Sequence, residues 1–270
     1  MDEREYSLME HLGELRKRLG YALVGVGLVA VAAFAISDQL LEWLRAPMEV
    51  MLREAHGAGA KFVVIAPAEY IVCQLKASFV AALFIASPWV LYQIWLFIAP
   101  GLYAHEQRYA TWFVWAGAVC FCGGAAFAYF AVFPTMFRFF VESLPPGIAM
   151  TPSISDHFSF TLKMLIAFGV VFETPVVTVI LSLAGIIDPT KLGRYRKYVV
   201  VVAFIVGAVL TPSPDALSQL LLAGPLLVLY ELGVLVARGV VRLKGTPLSR
   251  SASASASPAP AVATTNETRP

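Results

Sequence analysis

Charge is what this sequence has least of. Only 14% of its 270 residues are Asp, Glu, Lys or Arg, where an ordinary soluble domain carries about 25%. Hydrophobic residues make up 59% and mean hydropathy is +0.73. A soluble globule of this composition could not cover its own surface with polar groups, which excludes soluble enzymes, nucleic-acid binders and disordered chains. No nucleic-acid partner is expected. Cysteine is scarce as well. Cys73, Cys120 and Cys122 stand in apolar runs, too few for a disulfide framework. Cys120 and Cys122 are two apart, so on a helix they point in different directions and cannot chelate together. The four histidines, His11, His56, His105 and His157, fall in separate loops or ends. There is no HExxH, GxSxG, Walker loop or Cys/His metal spacing. No enzyme, metal or cofactor is expected, and a membrane-embedded hydrolase lacks its nucleophile–base pair.

What is present is hydrophobic length. A membrane-crossing helix needs about 20 apolar residues for about 30 Å of hydrocarbon. Six runs qualify or come close, at residues 19–36, 71–98, 110–133, 158–183, 198–210 and 216–236. The third stops at Pro134, and the tight turn Thr211-Pro212-Ser213-Pro214-Asp215 separates the last two, which are shorter. The expected fold is an all-α integral membrane protein of six spans. Residues 1–18 form an amphipathic segment, 19–241 the membrane domain, and 242–270 a Ser/Ala/Pro-rich disordered tail. Mixed charges and no clear small-residue cleavage site argue against reading the first run as a cleavable signal peptide. No internal repeat is visible.

Basic residues set the orientation. Fourteen, including Arg16, Lys17, Arg18, Arg194, Lys197 and Arg238, lie on the side of the two ends. The opposite side holds four, Arg45, Arg53, Lys61 and Arg138, while Lys76 and Lys163 fall within spans near their outer ends, where they can snorkel. Both termini are therefore expected in the cytoplasm. Residues 38–70 carry Leu40, Leu41, Trp43, Leu44 and Met48 around Pro47, a pattern for helices lying in the interface with their apolar side on lipid. With 134–157 they are expected to cap the outer side.

Glu173 is the most informative residue, because a carboxylate near the middle of a span is costly and should face protein or a wet cavity. Pro175 frees the carbonyl of Val171 beside it. A packing acid and a polar patch for a substrate or partner helix are both open readings. Glu231 lies nearer the cytoplasmic interface. Asp215 and Gln219 form an i,i+4 pair at the start of the sixth run. Glu14 and Arg18 stand one turn apart and can pair, and Glu14 and Glu106 read by charge alone as solvated acids.

The strings HLGELRKRL at 11–19, FIAPGLYAHEQR at 97–108, FAYFAVFP at 127–134, AFGVVFETPV at 167–176 and LTPSPDALSQ at 210–219, with Ala46-Pro47, occur in one order along the chain. They closely resemble the TatC family, the polytopic core of twin-arginine protein translocases. Gln107 departs from that pattern, which has a basic residue there. The resemblance implies a glove-shaped six-helix protein of the inner membrane with a concave face. It implies recognition of Arg-Arg signal peptides of folded cargo and work with single-span TatA- and TatB-like partners in an oligomeric complex driven by the protonmotive force. Carried onto this chain, Glu14 and Glu106 with Phe97 would bind the signal. Glu173 would be the intramembrane polar site, and Asp215 and Gln219 would contact partners. Paired carboxylates suit guanidinium groups, which they meet through two parallel hydrogen bonds. An exposed pair would supply only about 0–1 kcal/mol, so the two acids are expected in a partly enclosed pocket. The rival readings are a proton-coupled secondary transporter of a small solute using Glu173, and a membrane scaffold without transport activity.

Overall fold

The structure, a computed structural model, describes residues 3–56, 62–98, 110–145, 151–183, 186–188, 190–210 and 216–244. Among them every regular element is helical, apart from one isolated bridge between Val63 and Ser153. Helix α1, Glu3–Phe34, has 32 residues and joins the amphipathic segment and the first apolar run without a break. It leaves Leu19, Leu23, Leu28 and Val31 exposed and buries Val26 against Ala82 and Ala86. That is the pattern of a helix with lipid on most sides.

Helix α2, Ser37–His56, is amphipathic, and its apolar stripe is placed differently from the expectation. Leu41, Leu44, Met48 and Leu52 recur at helical spacing and are buried in one cluster with Phe133, Met136 and Phe137. The stripe therefore packs on protein rather than lipid. Aromatic side chains offer a denser contact surface than mobile acyl chains. Pro47 sits inside α2 and lacks the N–H that would bond the carbonyl of Trp43. The Tyr129 hydroxyl takes that place and donates to the Trp43 oxygen at 2.7 Å. The two rings stack at 3.9 Å. A side chain from another span thus repairs the proline break.

The second apolar run divides into α3, Glu69–Ile85, and α4, Ser87–Ile98, which meet at 60°. Pro88 is the cause. It removes the donor for the Phe84 carbonyl, and the neighbouring Ser87 hydroxyl donates to it instead at 2.7 Å.

The third run does not end at Pro134. Helix α5, Ala110–Phe127, passes through a π-turn at Ala128–Val132 into α6, Phe133–Glu142. Residues Thr111–Glu142 are long and apolar enough to cross a membrane as one span. The wider π-turn gives the ring of Pro134 room against the preceding carbonyls, so the helix bends round the proline rather than stopping.

Helices α7, Ile154–Phe172, and α8, Thr174–Leu183, make one long span with a joint at Glu173. After a 3₁₀ turn at Leu192–Tyr195 come α9, Arg196–Leu210, and α10, Ala216–Lys244. At 15 residues α9 is about 22 Å long, short of the hydrocarbon thickness. The sixth helix is not short. It has 29 residues and continues through Pro225 to Lys244. The architecture agrees with six spans: four long apolar helices, one bent pair and the short α9.

Packing is densest at the α2 end. Phe133, Phe137, Phe158, Phe168, Met136 and Met164 are each less than 2% or at most 2% exposed there. At Gly124 a Cβ would overlap the Phe168 carbonyl, so α5 and α7 touch backbone to backbone. The Asp38 carboxylate ties α2 to α3, accepting from the Tyr70 hydroxyl at 2.7 Å and the Gln74 amide at 2.8 Å. The Val63 and Ser153 segments join through two backbone bonds, from Val63 N–H to the Pro152 carbonyl and from Ile154 N–H to the Val63 carbonyl. The two loops predicted as a cap therefore do meet.

Candidate functional site

The far end of the bundle is built differently. The amino-terminal part of α1 leans on the end of α4, where the His11 imidazole stacks on the Phe97 ring at 4.4 Å and 23°. Glu14 is one turn further along α1 and half-buried. Its Oε1 takes the Arg18 guanidinium at 3.3 Å. The structure thus brings the Glu14 turn and Phe97 to one corner, with His11 as the contact between them. Glu106 lies outside the described residues, as does Asp215, so the meeting of Glu14 and Glu106 is not part of what is seen. Sequence reading took His11 as a scattered histidine. Only its stack on Phe97 across more than eighty residues identifies it, and no local spacing carries that signal.

A shallow recess, with a cavity volume of about 80 Å³, lies between α4, α5 and α8. Its walls include Leu91, Trp95 and Ile98 of α4, Phe113 of α5, and Val177 and Ile180 of α8. Glu173 is the one charged residue lining it. The residue stands at the joint of α7 and α8, where its N–H bonds the Val170 carbonyl in a tightened turn. Ten residues separate it from Leu183, or about 15 Å of helix, which is near mid-depth. Its Oε1 is buried and makes no hydrogen bond. Gly117 of α5 stands beside the carboxylate, where an added Cβ would come within 3.1 Å of Glu173 Oε2 and 2.9 Å of Leu91 Cδ1 and crowd both side chains. Gly117 escaped the sequence reading because its meaning depends on which helix faces it.

Helices α9 and α10 touch between Gly207 and Gln219. A Cβ on Gly207 would lie 3.4 Å from the Gln219 carbonyl oxygen, and the Gln219 side chain is half-buried. At the other end of the pair, Glu231 binds Arg196, and the Tyr230 hydroxyl donates to the Leu192 carbonyl at 2.8 Å. Asp188, in the loop before them, accepts from both the N–H and the hydroxyl of Thr190. These bonds hold its carboxyl below the usual carboxylate range. The described residues contain no group of His, Cys, Asp and Glu arranged to hold a metal.

A sequence profile of the family described as Sec-independent protein translocase protein (TatC) matches residues 10–225. The chain belongs to the TatC family. It is 42% identical over 232 residues to the Sec-independent protein translocase protein TatC of Azotobacter chroococcum, with 86% of this chain and 89% of that one covered. The TatC protein of Escherichia coli K12 is 38% identical over 231 residues, at 86% and 88% coverage. The TatC protein of Halothiobacillus neapolitanus is 39% identical over 242 residues, and the chain spans 90% of itself but 64% of that longer relative. Two crystal structures of the twin arginine translocase receptor TatC share the fold. One has a TM-score of 0.73 and 35% identity over 84% of this chain and 98% of that one. The other, in DDM, has a TM-score of 0.75 at the same identity. TatC family membership fits an all-helical membrane protein of the translocation machinery. The family is named for moving proteins rather than for a catalysed reaction.

Proposed function

We propose that this chain is the receptor core of a twin-arginine translocase. It binds Arg-Arg signal peptides of folded precursors and organises single-span TatA- and TatB-like partners in an oligomeric, protonmotive-force-driven complex of the inner membrane. Both termini face the cytoplasm, in keeping with the fourteen-to-four bias of basic residues. One observation carries the reading. The His11 stack on Phe97 brings the Glu14 turn of α1 against the end of α4. A signal with two arginines and then an apolar stretch has the matching order of chemistry. Its guanidinium groups meet carboxylates at the membrane face and its apolar segment lies along lipid-exposed surfaces of the spans. Only Oε1 of Glu14 is engaged by Arg18, which leaves its second oxygen for an incoming guanidinium. Glu106 supplies the second carboxylate and Glu173 the polar floor, while Asp215 and Gln219 contact a partner helix.

The test is site-specific cross-linking of an Arg-Arg signal peptide to positions around Glu14, Phe97 and Glu106, with Glu14→Gln and Glu106→Gln as controls. Each substitution is expected to weaken binding at least tenfold, and a Lys-Lys signal to bind no better than the variants. Unchanged precursor binding and export in both variants would remove the two-carboxylate receptor. A second reading, a proton-coupled transporter of a small solute, draws on the unpartnered Glu173 oxygen at a helix joint. Solute uptake by vesicles holding the purified chain, without any protein cargo, is its signature.

A further inference from the structure

Two amines lie within the spans at the α2 end, and neither is used by the receptor reading. Lys76 is two turns into α3, and its Nζ donates to Ser159 Oγ of α7 at 3.1 Å. Lys163 stands one turn beyond Ser159 on the same stripe of α7, and both lysines are exposed. Neither has a carboxylate within ion-pair distance among the described residues. Asp156 shares the stripe but is seven residues from Lys163, about 10 Å along the helix. A charged amine at this depth is costly unless it reaches a polar layer or a counter-charge. From the helix ends the two amines lie about 10–14 Å in. The α7–α8 span is some 45 Å long over about 30 Å of hydrocarbon, and Lys76 reaches it at Ser159, one turn nearer the α2 end than Lys163. The amines therefore sit just inside the apolar layer, where their stems bring them to phosphate depth. Towards the membrane centre both stripes turn apolar and exposed, through Phe79 on α3 and Val170 on α7.

We propose that Lys76, Ser159 and Lys163 clamp the phosphate of a phospholipid whose acyl chain runs along the exposed apolar faces of α3 and α7. The polar head above and the apolar track below have the shape of a lipid, not of a free anion. Lipid phosphate also borders every copy of the chain, whereas an acidic partner helix would first have to be recruited. The site is independent of the receptor reading; only naming its leaflet as the outer one rests on the proposed orientation.

Native mass spectrometry of the full-length protein in detergent, titrated with a short-chain phosphatidylglycerol, tests the clamp. Short-chain phosphatidylethanolamine, diacylglycerol and inorganic phosphate serve as the other probes. The wild type is expected to retain one phospholipid of either headgroup through delipidation and to bind diacylglycerol at least tenfold more weakly. Inorganic phosphate should not compete at millimolar concentration. The double variant Lys76→Met/Lys163→Leu should lose at least tenfold in phospholipid affinity. Lys76→Arg/Lys163→Arg, which keeps both charges, should recover most of it and covers the case in which the apolar variant fails to fold. Ser159→Ala should lose less. Equal retention by the charge-free variant, equal binding of diacylglycerol, displacement by inorganic phosphate, or no retained lipid on the charge-preserving variant would each overturn the proposal. So would cross-linking of Lys163 to an acidic partner helix in native membranes in place of lipid.

Discussion

The two ends of this bundle spend their aromatic residues in opposite ways. At the α2 end Phe133, Phe137 and Phe158 close on one another and on Leu41 and Leu52, leaving almost no exposure. At the other end Trp95 and Phe113 stack at 5.2 Å and line the wall of an open recess. One set of rings fills space and the other encloses it. The difference separates a filled platform from an open surface, and under the proposed function stability and transport should be separable by mutation.

The sharpest break of that comparison is in the filled end. Phe137→Ala should cost about 3–5 kcal/mol, as deletion of a fully buried aromatic does, measured by thermal or denaturant unfolding in detergent. A cost below about 1 kcal/mol would mean the platform is not the stable part. Next comes Tyr129→Phe, which strands the Trp43 carbonyl and should cost about 1–3 kcal/mol. In a Pro47→Ala background the restored N–H bonds that carbonyl, so most of the cost should vanish. Equal costs in both backgrounds would refute the repair of the proline break by Tyr129. At the open end Glu173→Ala should change stability by less than about 1 kcal/mol, since one carboxylate oxygen makes no hydrogen bond and the recess is not packed. Partner cross-linking or late transport should nevertheless change, with signal binding at the membrane face intact. Insensitivity in both assays would return Glu173 to a packing role. The smallest effect belongs to Arg138→Ala. Its pair with Glu142 at 2.7 Å is largely exposed on both sides, so the unfolding midpoint should stay where it is within measurement error.

Hydrophobic length carried the all-helical fold, and chain order of the motifs carried the family. Phe97 and Glu173 stand out in the sequence as candidates, the first by resemblance and the second because a charge within an apolar run is conspicuous. Pro134 misled because a proline was read as a stop, whereas a π-turn before it absorbs the steric conflict. The sixth helix runs past its expected end at residue 236 to Lys244. The α2 stripe read equally well for lipid and for protein, because apolar spacing reports that a face is covered and not by what. His11 and Gly117 were invisible for a related reason. Each acts through a contact with a distant helix, and the physics that gives it meaning lives in the partner.

The π-turn at Ala128–Val132 also fixes a count. It places one more residue in its turn than an α-helix would, and each residue of a helix turns the chain by about 100°. Removing a single alanine there would let the stretch relax to an α-helix whose later residues keep nearly the same facing, so Phe133 and Phe137 would still meet α2. What the deletion takes away is the room for the ring of Pro134. The extra residue is therefore matched to the proline, and a one-residue deletion should do less harm when Pro134 is exchanged for alanine with it.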